Sequence, residues 1–178
     1  MNVLPGRRKS PSESSPHCAA AIGQDSHAFE PRNSPKPLVV AGVAIPDSPG
    51  LAGNSDADVV LHAITNAVSG ISGVNILGAV ADKLCRDRGI RDSRVYLAKA
   101  LETLRQWRLT HVSVSIEAKR PQFAPHIPAM RASIARLCSL SIDEVGITAT
   151  TGEGLTSFGK GLGIQALAVV TAHRKRRR

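Results

Sequence analysis

Residues 21–29 have the sequence AIGQDSHAF, and this short predicted strand decides how the rest of the chain must be arranged. Alternation along a strand places Asp25 and His27 on one face. His62 follows later, in a predicted helix. If the strand and the helix pack together, one carboxylate and two imidazoles converge as the three protein ligands of a catalytic zinc site with an open fourth position. An ordinary strand whose histidine is satisfied locally is the alternative interpretation.

The composition indicates one domain of ordinary size. The chain has 178 residues, of which 42% are hydrophobic and only 3% aromatic, so the core must consist of Val, Ile, Leu and Ala. Such a core suits helices packed on a sheet. No apolar run approaches the length of a membrane span, so no membrane partner is expected. The three cysteines lack CxxC spacing, which argues against a disulfide framework or a thiolate zinc site and favours a cytoplasmic location.

The formal net charge of +9 is concentrated at the two ends of the chain. Residues 1–19 form a basic arm rich in Ser and Pro, which we expect to be disordered, and residues 173–178 form a basic tail. The strand and helix patterns place the folded domain at 20–172. This region is nearly neutral, so we do not expect it to bind nucleic acid. The arm has no apolar segment typical of a secretory signal. Its Arg and Ser content suits an organelle import peptide, but it is short and has no amphipathic pattern, so organelle import is the less favoured alternative.

Hydrophobic periodicity predicts an α+β single domain with a mixed β-sheet and helices on one face. The first two strands could pair as a hairpin with a long loop. The last strand is apolar on both sides, so we expect oligomerisation to bury the other sheet face. The predicted strands are 21–29, 38–46, 111–118, 144–151 and 164–172, the predicted helices are 56–71, 92–107 and 129–140, and 72–91 is predicted as a loop with some helical turns.

The first predicted helix carries the second half of the proposed site. Asp58, His62 and Asn66 recur at a spacing of four residues and form a polar stripe, which is typical of a face that lines a site. The cap of this helix could be any of three residues, namely Asn54, Ser55 and Asp56. The Asn54-Ser55 pair could instead bind an anion at the helix start.

A second candidate site follows the strand at 144–151. The segment at 150–154, TTGEG, combines hydroxyl groups, free backbone N–H groups and one carboxylate, Glu153. Hydroxyls and amides bind phosphate oxygens, and a carboxylate beside them can hold Mg²⁺. A glycine-rich hairpin loop without a ligand is the alternative.

Taken together, these motifs resemble the 2-C-methyl-D-erythritol 2,4-cyclodiphosphate synthases. The resemblance is collinear from about residue 22 to residue 170. The matching motifs are Gly23-x-Asp25-x-His27-x-Phe29, Gly42-Val43-x-Ile45-Pro46, Asn54-Ser55-Asp56-x-Asp58-Val59-x-x-His62-Ala63-Ile64, Asp92-Ser93, Pro125-His126-Ile127-Pro128-x-Met130-Arg131 and Thr148-Ala149-Thr150-Thr151-x-Glu153-x-Leu155.

The resemblance implies a homotrimer with active sites between subunits and a nucleotide diphosphate substrate. Asp25, His27 and His62 would hold Zn²⁺, with a diphosphate oxygen as the fourth ligand. Glu153 would hold Mg²⁺ or Mn²⁺ on the two phosphates. The substrate's 2-phosphate would attack the β-phosphorus of its own cytidine diphosphate group, which forms the cyclic diphosphate and releases CMP in non-mevalonate isoprenoid synthesis.

The resemblance also implies roles for other residues. Catalytic roles would fall to Thr151 and Asn54, and residues around 118–124 would form the cytosine pocket together with Ala149 and Thr150. The implied substrate contacts are Asp25, His27, Asn54, Ser55, Ile76, Gly78, Ala118, Phe123, Ala149, Thr150, Thr151, Glu153, Phe158 and Lys160.

The chain departs from the family pattern beside the zinc site. Asn54 stands where the family usually has His, and Asn66 stands where it usually has Asp. The segments 75–78 and 81–85 differ from the family's Gly-Asp-Ile-Gly and Phe-Pro-Asp-x-Asp runs, and Lys160 replaces a frequent Arg. The alternative function is a catalytically impaired trimeric scaffold whose basic tails bind nucleic acid or anionic lipid.

Overall fold

A computed structural model describes residues 17–174. Most of the predicted arm and basic tail lies outside these residues, so the disorder of the arm stays a prediction. The ordered structure extends slightly beyond the expected 20–172, because the first strand begins at Cys18 and the last ends at Arg174.

The elements follow one another as three strands, three helices, a strand, a helix and two strands. The strands are β1 (Cys18–Ala28), β2 (Pro37–Val40), β3 (Val43–Pro49), β4 (Trp107–Glu117), β5 (Val145–Thr150) and β6 (Gly163–Arg174). The helices are α1 (Val59–Ser72), α2 (Ala79–Arg88), α3 (Ser93–Glu102) and α4 (Ile127–Cys138), and short 3₁₀ turns lie at Ile142–Glu144 and Gly152–Gly154.

The main sheet has the strand order β1-β6-β4-β5. The β1–β6 and β6–β4 pairs are antiparallel, whereas β4 and β5 are parallel. Helix α1 packs against β1 and β6, and α4 packs against β5. The predicted α+β fold, with a mixed sheet and its helices on one face, is therefore confirmed.

The prediction of one strand over 38–46 was wrong, because this segment is the β2–β3 hairpin. Its turn consists of Ala41 and Gly42, which have φ angles of 57° and 73°. Alanine rarely adopts a positive φ, so the sequence carries only a weak turn signal. The predicted pairing of the first two strands was also wrong, because β1 pairs with β6 and β2 pairs with β3.

Helix α1 begins after Asp58, and none of the three residues predicted as its cap has that position. The Oδ1 atom of Asp58 accepts hydrogen bonds from the backbone N–H groups of Val60 and Leu61, at 3.2 and 3.0 Å. The same carboxylate accepts from Ala41 N at 2.8 Å and Gly42 N at 2.6 Å. Burial raises the pKa of Asp58 to about 6, although these backbone hydrogen bonds oppose the shift. The fully buried Asp58 is thus a structural residue, and its inclusion in the site stripe was wrong.

Strand β1 and helix α1 approach each other at Gly23. A Cβ atom at this position would lie 2.1 Å from Ala63 O and 2.4 Å from Ala67 N, which are backbone atoms of α1. Only glycine fits this contact without displacing one of the two elements. The close approach brings the face of β1 that carries Asp25 and His27 against the helix that carries His62.

The opposite face of the sheet exposes apolar side chains. Ile22 is 67% exposed, Leu167 36% and Val169 40%, and the register pairs Ile22 with Val169 across β1 and β6. The alternate side chains of β6, including Ile164, Ala166, Ala168 and Val170, are fully buried beneath the helices. Strand β6 is therefore apolar on both sides, as its sequence predicts.

The segment predicted as a loop at 72–91 contains the regular helix α2. Glycines flank this helix at Gly78 and Gly89, and both have positive φ angles, of 87° and 63°. Ala81 is its only buried residue, so its sequence lacks the apolar period that marks a core helix. No helix among residues 17–174 is long and apolar enough to span a membrane.

Candidate metal centre and substrate cavity

Asp25, His27 and His62 converge where β1 meets α1. The Oδ2 atom of Asp25 lies 2.9 Å from His27 Nε2 and 2.9 Å from His62 Nδ1. The two imidazole nitrogens are 3.3 Å apart. His62 is buried, while Asp25 and His27 are partly accessible. The convergence that the sequence predicts is therefore present.

The electrostatics of the triad suit a metal cation. Burial alone would raise the pKa of Asp25, but hydrogen bonds from His27 and His62 and their charge outweigh it and lower the pKa to about 2. The hydrogen bond to Asp25 raises the pKa of His27, although burial opposes this shift. A metal binds the ionised carboxylate and neutral imidazoles, so its binding at the triad would compete with protons for these groups.

The donor set fits a divalent metal ion. Ligand atoms bound tetrahedrally at 2.0–2.1 Å are spaced by roughly 3.3 Å. The spacings of 2.9, 2.9 and 3.3 Å in the triad need only a slight expansion to reach this value. Two imidazoles and one carboxylate are also a frequent ligand set of catalytic zinc, which keeps one position for water or substrate.

The triad lines a cavity of about 330 Å³. Among the residues implied as substrate contacts, Asn54, Ser55 and Gly78 line the same cavity. Ile76 is buried in the core at 6% exposure, and its neighbour Leu77 lines the cavity. Ala81, Asp82 and Cys85, from the segment that departs from the family pattern, also line the cavity. Gly53 and Tyr96 line it as well, and sequence reasoning did not assign them.

The second group of implied site residues lies at the ends of β4 and β5. Thr150, Thr151 and Glu153 are exposed, and the Thr151 hydroxyl donates to Glu153 Oε1 over 3.3 Å. Exposed carboxylate and hydroxyl oxygens suit Mg²⁺, which prefers oxygen ligands and retains several waters. The Ala118 N–H donates to Thr150 O at 3.0 Å, which joins the residues implied for the cytosine pocket to this strand end.

The remaining implied residues surround this strand end. Phe158 O accepts a hydrogen bond from Lys119 N at 3.0 Å, which connects the glycine-rich loop to the end of β4. Ala118 and Phe123 are buried, whereas Ala149 and Lys160 are exposed.

Within one chain, the triad and the β5 end are separate. The register aligns Asp25 with Ala166, then Ile116, then Ala149, so the two groups are three strand spacings apart, or ~14 Å. None of Thr150, Thr151 and Glu153 contributes to the triad cavity in residues 17–174. One diphosphate group cannot reach both groups in a single chain.

Two residues that sequence reasoning did not assign to the site lie behind His62: Ser93 contacts its ring, and Asp56 contacts Ser93. The Nε2 atom of His62 lies 2.9 Å from the Ser93 hydroxyl, and that hydroxyl in turn donates to Asp56. The sequence signal was the Asp92-Ser93 motif, which was predicted to cap a helix but was given no role in the site.

The sequence matches one protein family along most of its length. A model of the YgbB family matches residues 19–173. A protein of Chlamydia muridarum (strain MoPn / Nigg) named 2-C-methyl-D-erythritol 2,4-cyclodiphosphate synthase is 49% identical over 151 residues, 84% of this chain and 85% of the relative. A protein of the same name from Chlamydia felis (strain Fe/C-56) is 50% identical, with coverage of 84% and 86%.

Solved structures agree with the fold. A 2C-methyl-D-erythritol-2,4-cyclodiphosphate synthase in its CDP-bound form has a TM-score of 0.76 and 34% identity, and the match covers 86% of this chain and 99% of the other. The bifunctional IspDF of Campylobacter jejuni has a TM-score of 0.81 and 27% identity, and the match covers 90% of this chain but 43% of that longer protein. The resemblance seen in the motifs is thus confirmed, and the chain belongs to the YgbB family.

Proposed function

We propose that the chain cyclises 4-diphosphocytidyl-2-C-methyl-D-erythritol 2-phosphate to 2-C-methyl-D-erythritol 2,4-cyclodiphosphate and releases CMP. Family membership and the names of relatives at about 50% identity support this activity. The single observation that carries it is the convergence of Asp25, His27 and His62 in a cavity. The comparisons do not support the alternative of an inactive scaffold with nucleic-acid-binding tails.

The proposed metals are Zn²⁺ at Asp25, His27 and His62 and Mg²⁺ or Mn²⁺ at Glu153. When bound, the metals supply positive charge that neutralises the phosphate oxygens. The chain's own groups orient the substrate. Asn54 and Ser55 offer polar side chains to the cavity beside the triad. The Thr151 hydroxyl and Glu153 lie at the strand end proposed to contact the diphosphate.

No protein nucleophile is needed for the proposed reaction. A phosphate oxygen of the substrate is already ionised at neutral pH, and it forms the new bond to the β-phosphorus as the bond to CMP breaks. Catalysis then consists of folding the substrate so that the two phosphates meet and of stabilising their charge. The cavity walls exclude part of the surrounding water, which strengthens both effects.

The proposed assembly is a homotrimer with active sites between subunits. The exposed Ile22, Leu167 and Val169 give the open sheet face an apolar surface that subunit contact would bury. The separation of ~14 Å between the triad and the β5 end of one chain also favours a shared site. In such a site, the triad of one subunit and the Glu153 loop of another contact the same diphosphate. A cytoplasmic location stays a prediction.

The test is CMP release by the purified protein supplied with Zn²⁺, Mg²⁺ and the substrate. We expect turnover, its loss on adding a chelator, and its loss in His62→Ala. His17→Ala removes an exposed histidine outside the cavity and is expected to keep full activity. CMP release that is equal in His62→Ala and the unchanged protein would contradict the proposed metal site. Absence of CMP release under all conditions would contradict the proposed reaction.

A further inference from the structure

We propose that Ser93 and Asp56 are positioning residues that hold the ring of His62 with its proton on Nε2, so that Nδ1 is presented to the metal. The inference rests on the proposed metal site. It identifies the residues that determine which ring nitrogen of His62 binds the metal. Neither residue belongs to the triad.

The contacts form a chain from the metal centre to a carboxylate. His62 Nδ1 faces Asp25 at 2.9 Å, and the opposite nitrogen, Nε2, lies 2.9 Å from Ser93 Oγ. The Ser93 hydroxyl contacts Oδ1 of Asp56, and the Ser93 backbone N–H donates to Oδ2 of Asp56 at 3.1 Å. Ser93 is fully buried, so its hydroxyl cannot form a hydrogen bond to bulk water in place of these contacts.

The direction of the hydrogen bonds follows from the number of available protons. An ionised carboxylate only accepts hydrogen bonds, and Asp56 Oδ1 accepts a further one from Asp58 N at 3.2 Å. A serine hydroxyl has a single proton, which must therefore be donated to Asp56. The contact between Ser93 and His62 then requires an N–H on Nε2, since an unprotonated nitrogen would face a lone pair of the hydroxyl oxygen. This arrangement leaves Nδ1 as the nitrogen that binds the metal.

Asp56 is itself fixed by the backbone. Its N–H donates to Arg91 O at 2.7 Å, which joins the segment before α1 to the segment before α3. The network therefore ties the ligand on α1 to the first residue of α3. Outer contacts of this kind orient a ligating histidine and usually change metal affinity 10- to 100-fold when they are removed.

The first measurement is the tautomer of His62 in zinc-loaded, ¹⁵N-histidine-labelled protein at pH 8. We expect the ¹⁵N shifts of an Nε2–H ring in the unchanged protein and a mixture of both tautomers in Ser93→Ala. The inference would be overturned by an Nδ1–H ring in the unchanged protein, or by an Nε2–H ring that persists undiminished in Ser93→Ala.

The second measurement is zinc affinity, determined by competition with a chromophoric chelator. We expect Ser93→Ala and Asp56→Asn each to weaken binding about 10- to 100-fold. The double variant should bind no more weakly than Ser93→Ala, because Asp56 acts through the serine. Ser133→Ala is the matched control, since Ser133 is a buried serine whose hydroxyl has no hydrogen-bond partner among the described residues.

The outcomes separate this inference from the proposed reaction. Unchanged affinity in Ser93→Ala, or a zinc affinity of the unchanged protein too weak to measure, would overturn the inference. Full CMP release with unchanged affinity in Ser93→Ala would leave the reaction intact and refute only the positioning role. The expected tautomer and affinities without any CMP release would refute the reaction and leave the positioning role standing.

Discussion

Replacement of Asp58 by alanine should destabilise the fold far more than the loss of an ordinary helix cap. Removal of the cap of α1 costs about 1 kcal/mol. The buried N–H of Ala41 loses its acceptor, which costs about 2 kcal/mol, and the half-buried N–H of Gly42 adds about 1 kcal/mol. The free energy of unfolding should therefore fall by about 4 kcal/mol.

Urea denaturation at one fixed protein concentration measures this loss, with the fluorescence of Trp107, the only tryptophan, as the signal. For an m value of about 2 kcal/mol per M, the midpoint should fall by about 2 M. Asp92→Ala is the control, because Asp92 caps α3 through Arg94 N, its side chain is 39% exposed, and the other described hydrogen bonds of that carboxylate come from the neighbouring Arg94 side chain. Its midpoint should fall by only about 0.5 M. Equal shifts for the two variants would refute the role assigned to the Asp58 hydrogen bonds in the hairpin turn.

Three further outcomes follow from the site. Zinc affinity should fall by about tenfold per pH unit for each displaced proton once the pH drops below the raised pKa of His27, because the protonated ring cannot bind a metal. Competition with a chelator between pH 8 and pH 5 measures this dependence. An affinity that does not change with pH would contradict the prediction. Glu153→Gln should raise the Mg²⁺ concentration needed for half-maximal CMP release. Its zinc affinity should stay unchanged, since Glu153 is outside the triad cavity. Weakened zinc binding in this variant would argue against two separate sites. Gly23→Ala should weaken zinc binding and lower thermal stability together, because the new Cβ would collide with the backbone of α1. Gly146→Ala, whose Cβ would meet its nearest atoms at 3.9 Å, should leave zinc affinity unchanged.

Elements with strong local periodicity could be predicted from the sequence. Strand β4 alternates apolar and polar residues, and α1 carries an apolar face with His62 on its polar side. The β2–β3 hairpin could not be predicted, because its turn depends on a carboxylate seventeen positions away. Asp58 stabilises the turn that contains Ala41, and a local pattern contains no information about such a distant acceptor. Helix α2 was missed because so little of it is buried, although its flanking glycines were an available signal.

The same distinction between local and distant information applies to the site. The triad could be predicted because alternation on β1 places the side chains of Asp25 and His27 on one face of the strand, and helical periodicity determines the face of α1 that carries His62. The contact between His62 and Ser93 could not, because it depends on how α3 starts beside α1. The gap between the triad and Glu153 also depends on strand order, which the sequence does not specify.

Strand β1 is the outermost strand of the main sheet, with hydrogen bonds to β6 on one side only. His27 near its end and His62 on α1 are 35 residues apart along the chain. A metal held by both histidines closes a chain loop of that length. A cross-link over such a loop lowers the conformational entropy of the unfolded chain and so stabilises the fold by about 4 kcal/mol. The proposed zinc would therefore stabilise the edge of the sheet as well as bind phosphate. Amide hydrogen exchange in β1 should accordingly slow when zinc is added, even in the absence of substrate.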